Sequence, residues 1–364
     1  MTSHGSRRRK ELAFAVLLLG LFLGAPRHAW AQGDLAVRLD APILVVQDDY
    51  TGPDRWQVAT SWWYQRSDKH FVGSEHQINR DREKSQVINT IDLAEVGIRY
   101  NASPTWSVTL GIPYLMAERS SPIRDANRVV IDRNTVAAHG VGDITFTVRR
   151  LLWKPLTHPD GNVSFGLGVK LPTGQDNVVD TARSGVNGTT QTVQTIDQSV
   201  QPGHGGLGAI LDIQAFQRIH QSGFAFYGGY TYLLNPRNTN GVQTYRSAVG
   251  EEVMSVADQY LGRAGFSYGS PGWKGFGVSL GGRLEGVPVK DLIGESKGFR
   301  RPGYAVSIEP ALSFSRGPHT VSLAVPVALY RNRERSVPDR LVPGRHGDAA
   351  FADYFFFLGY WRKF

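Results

Sequence analysis

Nine charged residues of mixed sign, Glu95, Arg99, Asp143, Lys170, Asp212, Arg263, Arg283, Glu285 and Glu309, stand among Ser, Thr and Gly on the polar side of stretches whose other side is apolar. Brought to one interior, such groups can pair with one another and fill a narrow space, or form a constriction that sorts solutes by charge and size. Trp63 and Tyr227 fall among them, as steps for an aromatic solute or as plain filler. Catalytic chemistry is poorly served. Gly265 to Gly269 matches G-x-S-x-G, but a nucleophile elbow needs a strand-to-helix turn, and this stretch ends one strand and enters a short turn to another. The 10 His show no metal-ligand spacing such as H-E-x-x-H, and Gly174 is not followed by Lys, so 172–174 is no phosphate loop. Neither an enzyme, a metal nor a cofactor is expected.

The elements that carry these residues read as strands of period two. Twelve are expected, at 56–66, 88–100, 105–114, 142–153, 163–171, 207–218, 224–233, 256–268, 276–285, 304–314, 321–330 and 351–364. Each is close to the about 9–11 residues that cross a bilayer at the usual tilt. The connections after the even-numbered strands are short, at 101–104, 154–161, 219–223, 269–274 and 315–319; the others are long and polar, the longest 172–206. That alternation predicts an all-β, closed antiparallel transmembrane barrel with short periplasmic turns and long extracellular loops. Closure follows from the membrane reading, because only a helix or a closed barrel satisfies its backbone in hydrocarbon. Arg150, Gln217 and Arg362 break the apolar face, all near the periplasmic ends, where charge costs least.

The two ends agree with export. Arg7, Arg8, Arg9 and Lys10, then Leu12 to Leu23, then Ala29-Trp30-Ala31 have the layout of a cleaved signal peptide over 1–31. Residues 32–53 are then a periplasmic tail, a plug or an extra strand, and 54–364 the barrel. The leader carries five basic residues and one acid, so +4 of the formal +8 leaves with it and the remaining +4 argues against nucleic acid. With 0 Cys, the exported chain rests on no disulfide. At the other end Tyr354, Phe356, Leu358 and Tyr360 alternate with Phe355, Phe357, Gly359 and Trp361. This resembles the closing strand of outer-membrane barrels, in which Phe357, Gly359 and the last residue Phe364 match the signal read by the barrel-insertion machinery, while Arg362 departs from it.

Two prolines lie inside strands, where a ladder donor is missing. If 315–319 is the hairpin turn, Pro310 falls opposite Ala324 and Pro326 opposite Ile308, a pair of bulges or a lateral opening. Gly140-Val141-Gly142-Asp143-Ile144 with Phe146, the run VSFGLGVKLPTG from Val163 to Gly174, and Gln201-Pro202-Gly203-His204-Gly205 resemble the outer-membrane family annotated for the meta-pathway of phenol degradation, related to the long-chain fatty-acid transporter superfamily. The resemblance implies a channel or transporter for small hydrophobic or aromatic compounds in the outer membrane of a Gram-negative bacterium, in contact with its lipids. A non-conducting structural, adhesive or membrane-enzyme barrel is the alternative.

Overall fold

The computed structural model describes residues 55–364 except 220, 221, 270, 271, 273 and 274. The expected signal peptide and the 32–53 segment lie outside the described residues. Nineteen strands and two short helices follow in order: β1 (Trp56–Val72), β2 (Glu75–His76), α1 (Ile78–Arg82), β3 (Ile88–Asn101), β4 (Trp106–Arg124), β5 (Val130–Val141), β6 (Thr145–Leu151), β7 (Gly161–Lys170), β8 (Val179–Ser184), β9 (Thr190–Thr195) and β10 (Gly208–Arg218). Then come β11 (Phe224–Leu234), β12 (Thr239–Gln243), β13 (Val253–Ser255), β14 (Gln259–Tyr268), β15 (Phe276–Val287), β16 (Gly303–Arg316), β17 (His319–Ala324), β18 (Val327–Arg333), α2 (Val337–Leu341) and β19 (Ala349–Lys363).

Twelve barrel strands account for most of them. β1, β3, β4, β7, β10, β11, β14, β15, β16 and β19 are continuous, while β5 with β6 and β17 with β18 are each one strand broken in two. Every pairing is antiparallel, and β19 returns to β1 along Gln57↔Lys363 to Phe71↔Ala349. The seam ends where the Phe364 amide donates to the Trp56 carbonyl at 2.8 Å. Among the described residues the barrel sheet therefore closes on itself, with no edge strand at the seam.

Period-two sequence becomes an inside and an outside. On β7, Phe165, Leu167 and Val169 are 50, 67 and 40 % exposed, whereas Ser164 and Lys170 on the other face are 3 % exposed. The exposed apolar side is the surface that hydrocarbon covers. At the periplasmic ends, Arg150 lays its guanidinium over Trp106 at 5.4 Å and Arg362 over Phe364 at 4.6 Å. The Gln217 amide turns back to the Asp160 carbonyl at 3.1 Å.

Three expectations need correction. The third connection is a hairpin rather than a loop: β4 runs 19 residues, beyond the about 9–11 that a bilayer needs, and pairs with β5 up to a tip at 125–129. The polar side chains alternating along 115–141 suit a ribbon standing in water. The eleventh strand is not continuous, since Val325 and Pro326 separate β17 from β18. Its register is also offset by one residue, because Arg316 pairs with His319 around a turn in which Gly317 has φ 58°. Pro310 therefore faces Val325, whose amide donates to the Pro310 carbonyl at 3.0 Å, and Ala324 faces Ala311 instead. Ile308 likewise faces Val327 and not Pro326.

Candidate functional site

The lumen has two unlike halves. On one, Trp63, Leu93, Leu115, Phe355 and Phe357 form a buried apolar cluster closed from above by Ile196 and Val200. Trp63 stacks on Phe357 with centroids 5.1 Å apart and an interplanar angle of 19°, and meets Phe355 at 5.7 Å. On the other half run the charges. Arg263 and Arg283 each reach Glu309 at 3.4 Å, and Arg283 also holds Glu285 at 2.6 Å. Arg149, missed in the sequence as a partner, holds Asp212 at 2.6 Å, and Thr231 donates to the same carboxylate at 2.9 Å. Arg283 joins the halves, with its guanidinium 5.2 Å from the centre of the Phe355 ring and 5.5 Å from that of Phe357.

Tyr227 lies over β15 so closely that a Cβ on Gly281 would come within 2.3 Å of its hydroxyl. Arg99 is apart from these groups, near the periplasmic end of β3, where its Nε donates to Asn101 at 3.2 Å. Glu95 joins none of the ion pairs of the described residues; a Cβ on Gly111 would lie 3.0 Å from its carboxylate. The lumen thus presents a free acid beside an apolar wall.

The long loop 171–207 folds into the barrel mouth, and its segment 196–204 is buried without a break. Two ties hold it. The first is a knot around Asp143. That carboxylate accepts from Lys170 Nζ at 2.8 Å, from the Gly174 amide at 3.0 Å and from the His204 amide at 3.2 Å. Thr173 Oγ1 accepts from the Ile144 amide and donates to the Gly142 carbonyl, both at 2.9 Å. Gly174 and Gly203 cross so tightly that a Cβ on Gly203 would come within 2.2 Å of the Gly174 carbonyl oxygen. The three glycine-rich stretches singled out in the sequence therefore meet at one place. They close the break between β5 and β6.

The second tie is Asp197. Arg301 grips it with two bonds of 2.8 and 2.7 Å, Tyr245 donates its hydroxyl at 2.9 Å, and Arg119 stands at 3.4 Å. Burial pushes this carboxyl up, but the guanidiniums of Arg119 and Arg301 outweigh it and hold it well below the usual carboxylate range. Nothing in the sequence signalled this residue: it lies in an aperiodic loop, and its partners come from β4 and from two other loops.

The break between β17 and β18 is closed far less. β17 pairs with β19 over 319–324, but β18 pairs with it only at Val327↔Tyr354. Just below, the Phe355 amide donates to the Pro326 carbonyl at 3.2 Å. Above, Gly73 and Arg333 exchange backbone bonds of 2.8 and 2.7 Å over the top of β19. Between those limits β18 and β19 are bridged by a side chain: Arg331 Nε donates to the Ala352 carbonyl at 3.1 Å and its Nη2 meets Asp353 at 2.5 Å. Phe355, of the aromatic cluster, stands directly behind this slit. Of the residues expected at the insertion signal, Phe357 and Gly359 belong to the same strand, Phe357 facing inward, and Phe364 ends the seam.

No protein-family model matches the sequence, and no curated protein sequence does. Solved structures do. An outer membrane channel from Pseudomonas putida F1 is similar at a TM-score of 0.56 and 13 % identity, over 88 % of this chain and 99 % of that one. A FadL homologue of Pseudomonas aeruginosa, at 7 % identity over 86 and 91 % of the chains, has a TM-score of 0.41. The toluene transporter TodX of P. putida, at 9 % identity over 86 and 91 %, has one of 0.40. At these identities the first likeness shows the fold alone: this chain has the barrel of an outer-membrane channel.

Proposed function

We propose that the protein takes up small hydrophobic or aromatic compounds across the outer membrane, and that the solute leaves the lumen sideways through the slit between β18 and β19. The observation that carries this reading is the position of Trp63, Phe355 and Phe357: a buried aromatic cluster under the mouth segment, inside a barrel whose other half is charged, and behind a stretch of wall where β18 and β19 pair at one position only. A hydrophobic molecule that reached this cluster by displacing the mouth segment would meet hydrocarbon on stepping outward and would avoid the polar periplasmic end. Pro326 contributes by lacking the amide that would face Phe355 at the foot of the slit, while Pro310, one strand away on β16, lacks the one that would face Val325. The ion-paired half serves as the rigid frame, with Asp143 and Lys170 in the knot, while Glu95 is the lumen acid available to a passing solute. The P. putida F1 structure, described as an outer membrane channel, supports the same class of role. So does the resemblance to the phenol meta-pathway family.

The test is uptake of a labelled monoaromatic hydrocarbon and of its carboxylated analogue by cells making the wild type or Phe355→Ala. Hydrocarbon uptake should fall several-fold in the variant, with the amount of folded barrel unchanged; equal uptake by the two would end this reading. The buried mouth segment favours one other reading, a barrel that conducts nothing, and planar-bilayer recordings together with absent hydrocarbon uptake would establish it.

A further inference from the structure

We infer that a groove on the outer wall, at the periplasmic end of β15, β16 and β17, holds an anionic phospholipid of the periplasmic leaflet, with an acyl chain between its apolar walls and the headgroup phosphate on Arg316. The groove has a volume of about 860 Å³. One wall is the cross-strand row Phe276↔Phe314↔Val321, and the other is Leu312↔Leu323, one step deeper in the membrane. Phe276, Leu312, Val321 and Leu323 are 57, 57, 43 and 38 % exposed, and the rings of Phe276 and Phe314 lie 4.6 Å apart. Between the rows Ser313 and Ser322 point inward and are buried, so the floor is backbone and the apolar side chains stand up on either side of it.

Below these rows the register sets three basic side chains next to one another. Arg316 pairs with His319 at the β16–β17 turn, and His319 pairs with Arg362 on β19. Residues paired across strands share a face, so all three point outward with the rows above them. All three are exposed, and Arg316 lines the groove itself. Among the described residues neither arginine pairs with a carboxylate side chain. Arg362 rests on the Phe364 ring at 4.6 Å, and the His319 ring shares a hydrogen bond of 2.8 Å with the Tyr360 hydroxyl. The arginines are two strand spacings apart, about 10 Å, so their long side chains can converge on one headgroup.

This charge selects the occupant. A guanidinium fork matches two oxygens of a phosphodiester. With no carboxylate side chain paired to the row, nothing there receives the ammonium of a zwitterionic headgroup, and the complement is a lipid of net negative charge. Arg150, at the periplasmic end of β6, makes the contrast. It stands between Trp106 and Phe165 with its guanidinium over the Trp106 ring at 5.4 Å, a setting from which an arginine snorkels to any headgroup. The β16–β17–β19 row adds a second guanidinium, and beside it a groove for the chain.

The experiment uses the full barrel in neutral detergent. Native mass spectrometry compares retention of phosphatidylglycerol and phosphatidylethanolamine with the same acyl chains, and circular dichroism confirms that each variant is folded. Phosphatidylglycerol should be retained about tenfold better, the scale of one charge-assisted contact. Arg316 makes no hydrogen bond or ion pair inside the fold, so Arg316→Gln should fold normally and weaken the preference several-fold; Arg316→Gln with Arg362→Gln should abolish it. Arg150→Gln lowers the charge of the periplasmic border away from the groove and should leave the preference in place. Val321→Trp, which fills the groove, should lower retention of phosphatidylglycerol several-fold. Equal retention of the two lipids by the wild type overturns the proposal. So does a preference that the double variant leaves intact, that Arg150→Gln removes equally, or that survives Val321→Trp undiminished.

Discussion

The barrel wall is broken twice, and the breaks are built alike but finished differently. Each faces a proline on the neighbouring strand: the Gly142 amide donates to the Pro113 carbonyl at 2.8 Å, and the Val325 amide to that of Pro310 at 3.0 Å. Each shifts a strand without ending it, as bulges do. At the first, the chain that follows comes back to seal the gap, with Asp143, Lys170, Thr173 and Gly174 in one buried knot and β8 laid along β5 through Asp180 and Arg183. At the second, one half-exposed ion pair crosses a slit. The two breaks differ in what the next loop does. That contrast is the basis for reading the second as the exit.

The contrast can be broken most severely at the first site. Asp143→Ala leaves Lys170 buried without its carboxylate, at a cost of about 3–5 kcal/mol. Denaturant unfolding in detergent should show that loss, and the barrel should leak solutes at the β5–β6 side. Next in size is Leu167→Arg, which puts a charge on the lipid face of the strand that borders the knot and should cost about 2–4 kcal/mol. Ser164→Arg, on the lumen face of the same strand, should be far milder; similar losses in the two would contradict the inside-out assignment on which both breaks depend. At the second site Arg331→Ala removes a pair whose Asp353 is largely exposed, worth about 0.2–1 kcal/mol. Folding should hardly change, yet hydrocarbon uptake should rise. An unchanged rate would place the exit elsewhere.

The smallest expected effect is that of pH. Asp197 has its folded carboxyl depressed, so its contribution is present above the ordinary carboxylate value of about 3.9 and is lost only as pH falls through the lower folded value. The mouth segment should stay in place between about pH 5 and 8, where neither state takes up the proton. Conductance that climbs within that interval would show that Asp197 is not the tie.

The barrel was legible because a membrane enforces alternation. Leu167 against Ser164, and Trp62 against Trp63, leave no freedom in which side faces lipid, and the short turns give the topology. The ion pairs were legible only in part. Arg263, Arg283, Glu285 and Glu309 come from adjacent strands and were expected to pair, but their partners depend on register, which shifts with one residue in a turn. The Pro310 offset came from that source. The knot and the Asp197 tie were out of reach, since they join loops distant in sequence whose residues follow no period. Their one trace was the clustering of glycines at Gly142, Gly174 and Gly203, where backbones cross too closely for any side chain.

The most direct measurement exploits a sequence with 0 Cys. Cysteines replacing Arg331 and Asp353 face each other across the slit and can be joined by a short bifunctional thiol reagent. The account predicts that hydrocarbon uptake, intact or raised in the unlinked double variant, is lost on cross-linking and returns when a cleavable linker is cut. Uptake that continues at the same rate through a cross-linked wall would contradict it.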